Sequence, residues 1–206
     1  MPRQHRRCSA ATPCGCWGSP MTDAPTLPDY LRPGLDLVFV GINPGAYSAS
    51  VGKYFATPQN RFWAALNRSG LTGGRECGPG DEKWLFEHRA VGFTDVVKRA
   101  SNSASSLRAA DFRAWAPLTR EKLLAASPLV VCFNGITGYK WFLQYAESRK
   151  QDDVALGEQP ERLGDSRVFV APNPSPANAT YSLDDIAGWY RRLGDLIPSA
   201  RAERNG

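Results

Sequence analysis

The chain has 206 residues, 42% of them hydrophobic and 22% charged, a globular balance that excludes a disordered or fibrous protein. No apolar run approaches the ~18–20 residues that a membrane-spanning helix needs, and Arg3, Arg6 and Arg7 lead into no apolar stretch of the kind a secretory signal carries. The net charge of +5 suits a polyanionic partner, although many basic proteins bind no nucleic acid. The five cysteines (Cys8, Cys14, Cys16, Cys77 and Cys132) show no metal-ligand spacing, so no metal or cofactor is expected. An intracellular protein of the cytoplasm, associated with the nucleoid and monomeric, fits these features best.

In chain order, residues 1–28 read as a flexible basic leader rich in Pro, Gly and Ser. A single domain is expected over 29–198 and a frayed tail over 199–206. The first strand is expected at 36–40, an apolar run that stops in a Gly/Asn/Pro cluster. A long loop over 46–57 follows, then a helix over 60–69 and a short helical piece over 82–88. Residues 91–97 read as a strand, with a polar loop after it. A helix is expected over 106–126, with Pro117 as a candidate break. Residues 129–133 form a continuous apolar run of the parallel-strand type, closed by Asn134 and Gly135. A helix carrying Tyr139, Trp141, Phe142 and Tyr145 follows, then a charged loop over 151–164 with room for a hairpin. The last clear strand is 167–171. Ser182 and Asp185 have capping-box spacing for a final helix over 183–197. Strands alternating with helices predict an α/β fold, a three-layer α/β/α sandwich on a short, mainly parallel sheet.

Two strands end in nearly the same words, Gly41-Ile42-Asn43-Pro44-Gly45 and Pro172-Asn173-Pro174-Ser175. A parallel sheet places both at its carboxyl edge, where ligands bind. Proline after each asparagine keeps that residue extended. Asparagine offers one acceptor and two donors on a short arm, which suits holding a water or reading a base edge. A single Asn-Pro would be taken as a turn cap; the matched pair points to a site.

These residues, with Asn60-Arg61-Phe62-Trp63 and Gly92-Phe93-Thr94-x-x-Val97, resemble the mismatch-specific uracil/thymine-DNA glycosylases, and most closely their bacterial branch. The resemblance implies a uracil-DNA glycosylase-like fold. It implies an enzyme that flips uracil and related bases out of mismatched double-stranded DNA and hydrolyses the N-glycosidic bond without a metal. By resemblance, Asn43 positions the attacking water, Gly41 and Ile42 line the base pocket, and Phe55 stacks on the flipped base. Tyr54 and Asn60 flank that pocket. The loop of Asn173, Pro174, Ser175, Pro176, Ala177 and Asn178 enters the duplex. Lys53, Arg61, Lys98, Arg99 and Lys140 are candidate phosphate contacts.

Two departures from the family pattern matter. Asp95 follows Thr94 where an acid is not usual. Facing the cleft, it can take a proton from water or steady a sugar cation; on the surface, it would simply pair with Lys98 or Arg99. Ala177 and Ala179 stand where a bulky wedge and an arginine are expected, which predicts looser dependence on the opposite base. The alternative to an enzyme is a non-catalytic module that binds damaged bases or nucleotides at the same cleft.

Overall fold

The computed structural model describes residues 26–206. Most of the expected leader therefore lies outside the described residues. Its last three positions belong to the domain: Leu27 is buried, and Thr26 Oγ1 donates to the Lys98 carbonyl at 2.6 Å.

Five strands form one sheet in the order β2-β1-β3-β5-β4. Strands β1 (Leu37–Gly41), β2 (Val91–Asp95) and β3 (Val130–Asn134) are wholly buried. They run parallel with β5 (Ser166–Ala171), and β4 (Gly157–Leu163) pairs antiparallel to β5 at the edge. The apolar runs are continuous because helices cover both faces, so neither side of a strand needs polar residues.

The two-residue period of a strand assigns each side chain to a layer. Leu37 and Phe39, Val91 and Phe93, Val130 and Cys132, and Phe169 and Ala171 face one core with α2 (Phe62–Ser69) and α6 (Leu183–Asn205). Val38 and Val40, Val131 and Phe133, and Val168 and Val170 face the other core with α4 (Ala109–Ala126) and α5 (Ile136–Ala146). The first core is largely aromatic, with Phe62 edge-on to Phe39 at 5.0 Å and to Tyr190 at 5.8 Å. Continuing the same alternation to the carboxyl ends puts Gly41, Asp95 and Asn134 on the α2/α6 side of the sheet.

Four expectations change. The 46–57 loop contains α1 (Ala46–Val51), closed by Gly52 in the left-handed region. Residues 157–163 of the expected charged loop form β4, whereas α3 (Glu82–His88) lies where it is expected and packs beside β2. Pro117 does not break α4. Helix α6 does not stop before Pro198 but runs to Asn205, so residues 199–205 are helical rather than frayed. A proline inside a helix removes one hydrogen bond and costs about 3 kcal/mol, which tertiary contacts offset here. Ala200 is buried, Arg201 pairs with Asp36 at 2.6 Å, and Arg204 donates to the Ser127 and Pro128 carbonyls at 2.6 and 2.9 Å.

Candidate active site

Strands β1 and β3 are neighbours, yet the chain leaves β1 toward β2 and leaves β3 toward β5. That divergence opens a crevice beyond their carboxyl ends. A cavity of about 510 Å³ lies there, lined by the 41–45 turn, Asp95, Asn134, the Asn173–Ala177 region and a serine-rich segment at 101–105. The two Asn-Pro turns thus share one cavity.

Gly41 and Asp95 are register partners on adjacent strands. A Cβ at Gly41 would lie 2.4 Å from Asp95 Oδ1, so the missing side chain is what gives the carboxylate its place. Asp95 is 2% exposed, and its Oδ2 has no hydrogen-bond partner among the described residues. Lys98 Nζ stands 3.6 Å from it. Burial drives the carboxyl up to about 6; Lys98 pulls it down and Asp29 pushes it up again. Asp95 is therefore not the surface residue of the bland alternative, and Arg99 is engaged elsewhere, gripping Asp111 through two bonds of 2.7 and 2.8 Å.

Asn43 is fixed by its own amide. Nδ2 donates to the carbonyls of Pro44 (3.0 Å) and Arg99 (2.9 Å) and to Ser101 Oγ (2.8 Å). Carbonyls only accept, so the nitrogen must face them. Oδ1 is left as an acceptor for the cavity. The backbone N–H groups of Asn43 and Gly45 donate to no acceptor among the described residues.

In the sequence, Asn134 reads only as the end of a strand. The structure places it in the cavity wall, 3% exposed. Tyr190 of α6 donates to its Oδ1 at 2.9 Å, and its Nδ2 has no partner among the described residues. Its Nδ2 is thus free to donate. The signal was available: Asn134 ends an apolar run, as Asn43 nearly does. Gly135, at φ +114, carries the turn out of β3, and a Cβ there would come within 3.1 Å of Asn173 Cβ. Only glycine lets the ends of β3 and β5 approach this closely without strain.

Ile42, Tyr54, Phe55 and Asn60 all line the cavity. Phe55 holds a left-handed backbone (φ 51) and lays one ring face on Phe62 at 3.9 Å. Asn60 Oδ1 accepts from the Phe62 N–H at 3.0 Å, opening α2.

The late loop is organised by Arg61. Its guanidinium donates to the carbonyls of Ser175 (2.7 Å), Asn178 (2.6 Å), Pro174 (3.4 Å) and Tyr181. Asn173 Oδ1 accepts from Ser175 N–H at 2.9 Å, and Asn178 Nδ2 donates to the Asn173 carbonyl at 2.8 Å. Asn173 and Asn178 thus cap their own turn. Pro176 and Ala177 are exposed at the cavity rim.

The expected phosphate contacts divide. Lys53 is exposed but outside the cavity lining. Lys98 is 5% exposed and cannot reach a phosphate, so that expectation is corrected. Arg61 and Arg99 are committed to internal partners, and Lys140 donates to the Asp152 carbonyl.

Among solved structures, the chain is similar to a solution NMR structure from Methanosarcina acetivorans described as a candidate uracil DNA glycosylase. The identity is 20%, the TM-score 0.51, and the match covers 82% of this chain and 97% of that one. It shares the fold. The family model described as the uracil DNA glycosylase superfamily matches residues 28–193. With a match across most of its length, the chain belongs to the uracil DNA glycosylase superfamily.

Proposed function

We propose that this protein is a monofunctional uracil-DNA glycosylase that removes uracil from mismatched double-stranded DNA by hydrolysis, leaving an abasic site. Within the superfamily, the 41–45 and 60–63 motifs favour the mismatch-specific branch. One observation carries the reading: a fixed amide acceptor on Asn43 and a buried Asp95 carboxylate whose Oδ2 accepts no hydrogen bond among the described residues line one cavity with Asn134, whose Nδ2 has no partner there.

The base must leave the stack to be reached, which costs roughly a few kcal/mol and least at a mismatch. In the cavity it stacks on the free face of Phe55. The Asn134 amide donates to the 4-carbonyl oxygen of uracil, where cytosine carries an amino group that cannot accept. Water sits between Asn43 Oδ1 and Asp95. As the bond from base to sugar lengthens, its electron pair leaves with the base, and the sugar takes on oxocarbenium character. The Asp95 carboxylate steadies that cation and accepts the proton of the water whose oxygen bonds to the sugar. The N–H groups of Asn43 and Gly45 face the departing anion. Among the described residues no lysine lines the cavity, which supports hydrolysis over an amine nucleophile.

The small rim residues Pro176 and Ala177 make poor wedges. Uracil opposite guanine, opposite adenine and in single strands should then be released at rates within about tenfold of one another. End-labelled oligonucleotides, scored for breaks after alkali, test this. Breaks that require alkali support a monofunctional enzyme. Binding without breaks refutes the proposal, and a strict preference for guanine refutes the relaxed rim.

A further inference from the structure

Behind Asp95 lies a set of charges, Lys98, Asp29 and Lys122, that the reaction above does not use. Lys98 Nζ donates to Asp29 Oδ1 at 2.8 Å and to Tyr54 Oη at 3.2 Å. Asp29 Oδ1 also accepts from Thr94 Oγ1 at 2.7 Å, and its Oδ2 from Lys122 Nζ at 2.8 Å. Lys98 thus lies between two carboxylates, 2.8 Å from Asp29 and 3.6 Å from Asp95. The four charged groups come from three places: the segment before β1, the end of β2 with the turn after it, and α4. They form two opposite pairs, so the group is close to neutral overall.

We propose that Lys98 is a positioning residue shared between Asp95 and Asp29, and that Asp29, held by Lys122, draws it away from Asp95 and so keeps Asp95 basic enough to accept the proton of water. This rests on the reading of Asp95 as the base. Buried opposite charges within about 4–6 Å set one another's proton affinity strongly. A lysine seated fully on Asp95 would make it too weak a base; no lysine at all would leave a large fraction of it protonated at neutral pH. The observed asymmetry lies between. Asp29 wins the closer contact because it also has Lys122 and Thr94, which, with Lys98, hold its carboxyl below the ordinary range despite burial. The other group facing Asp95 is the Tyr54 hydroxyl, which burial and both carboxylates keep protonated. From α4, Thr119 bonds the Asp95 backbone carbonyl at 3.2 Å and adds no charge.

The pH dependence of single-turnover kcat on a uracil duplex tests this, because two substitutions must move it in opposite directions. Lys98→Met removes the cation and should move the acidic limb up by about one pH unit, a roughly fivefold loss at pH 6. Asp29→Asn releases Lys98 to close on Asp95 and should move the limb down by a similar amount, with a lower plateau as the base weakens. KM should hold in both. Lys122→Met, at the more exposed end, should move the limb up by less, and it serves if Lys98→Met does not fold. A merely structural role would lower the plateau in every variant without moving the limb. Limbs that stay put, or move together, overturn the proposal. If Asp95→Asn keeps the limb, the fault lies instead in the assignment of Asp95 as base.

Discussion

At the scale of single residues, Asp95 ties stability to activity. Its carboxyl is raised from the ordinary 3.8 to about 6 by burial, so the folded chain binds that proton more tightly than the unfolded one. Its contribution is most favourable below about pH 4 and is lost as pH rises through about 6, a difference of roughly 3 kcal/mol. Asp95→Asn escapes this loss. Thermal melts should show the variant gaining on the parent between pH 4.5 and 7.5; a constant difference would refute the coupling. Activity should change the other way. General-base groups contribute typically 10²–10⁴-fold, so Asp95→Asn should lose about that much kcat together with the acidic limb near pH 6. Gly41→Ala tests the same carboxylate from the neighbouring strand. Its Cβ would fall 2.4 Å from Asp95 Oδ1, and kcat should drop at least tenfold with little change in helix content by circular dichroism.

At the scale of elements, the Pro-rich loop is a rigid body held from outside. Four of its carbonyls accept from the Arg61 side chain, and charge-assisted bonds of this kind contribute about 1.5–3 kcal/mol each when buried. Arg61 is half-buried, so the sum must be discounted. Arg61→Met should release residues 174–181, seen as faster amide hydrogen exchange there and not in β1. KM for a uracil duplex should rise about tenfold while the Asp95 pH limb stays in place. Unchanged exchange in the loop would mean its own turns suffice to hold it. Lysine is no substitute, because its point charge cannot reach several carbonyls from one planar fork.

At the scale of the molecule, the layers follow from simple periodicities. Apolar runs at 37–40, 91–93 and 130–133 announce buried parallel strands, and the carboxyl-edge rule brings Asn43 and Asn173 to one edge of the sheet. Asn134 obeys the same rule, but its neighbour Gly135 makes the pair look like a plain turn. The charges were the least legible. Lys98, in a polar loop, reads as a surface cation, and only the fold shows Asp29 and Tyr54 closing over it. Pro198 looks like a helix end because sequence does not reveal the anchors beyond it. Those anchors carry a prediction: removing residues 198–206 takes away the Arg204 bonds and the Arg201–Asp36 pair. That should lower Tm by about 3–6 °C, for roughly 1–2 kcal/mol. A loose tail would leave Tm unchanged.

The most direct measurement of the central claim is chromatographic detection of free uracil under single-turnover conditions, comparing the parent chain with Asn43→Ala, Asp95→Asn and the double variant on one mismatched duplex. The account predicts stoichiometric uracil from the parent, a loss of at least about 10²-fold in each single variant, and a double variant little worse than the worse single, because both residues act on the same water. Free uracil absent from the parent while it binds the duplex, or undiminished release by the double variant, would contradict it.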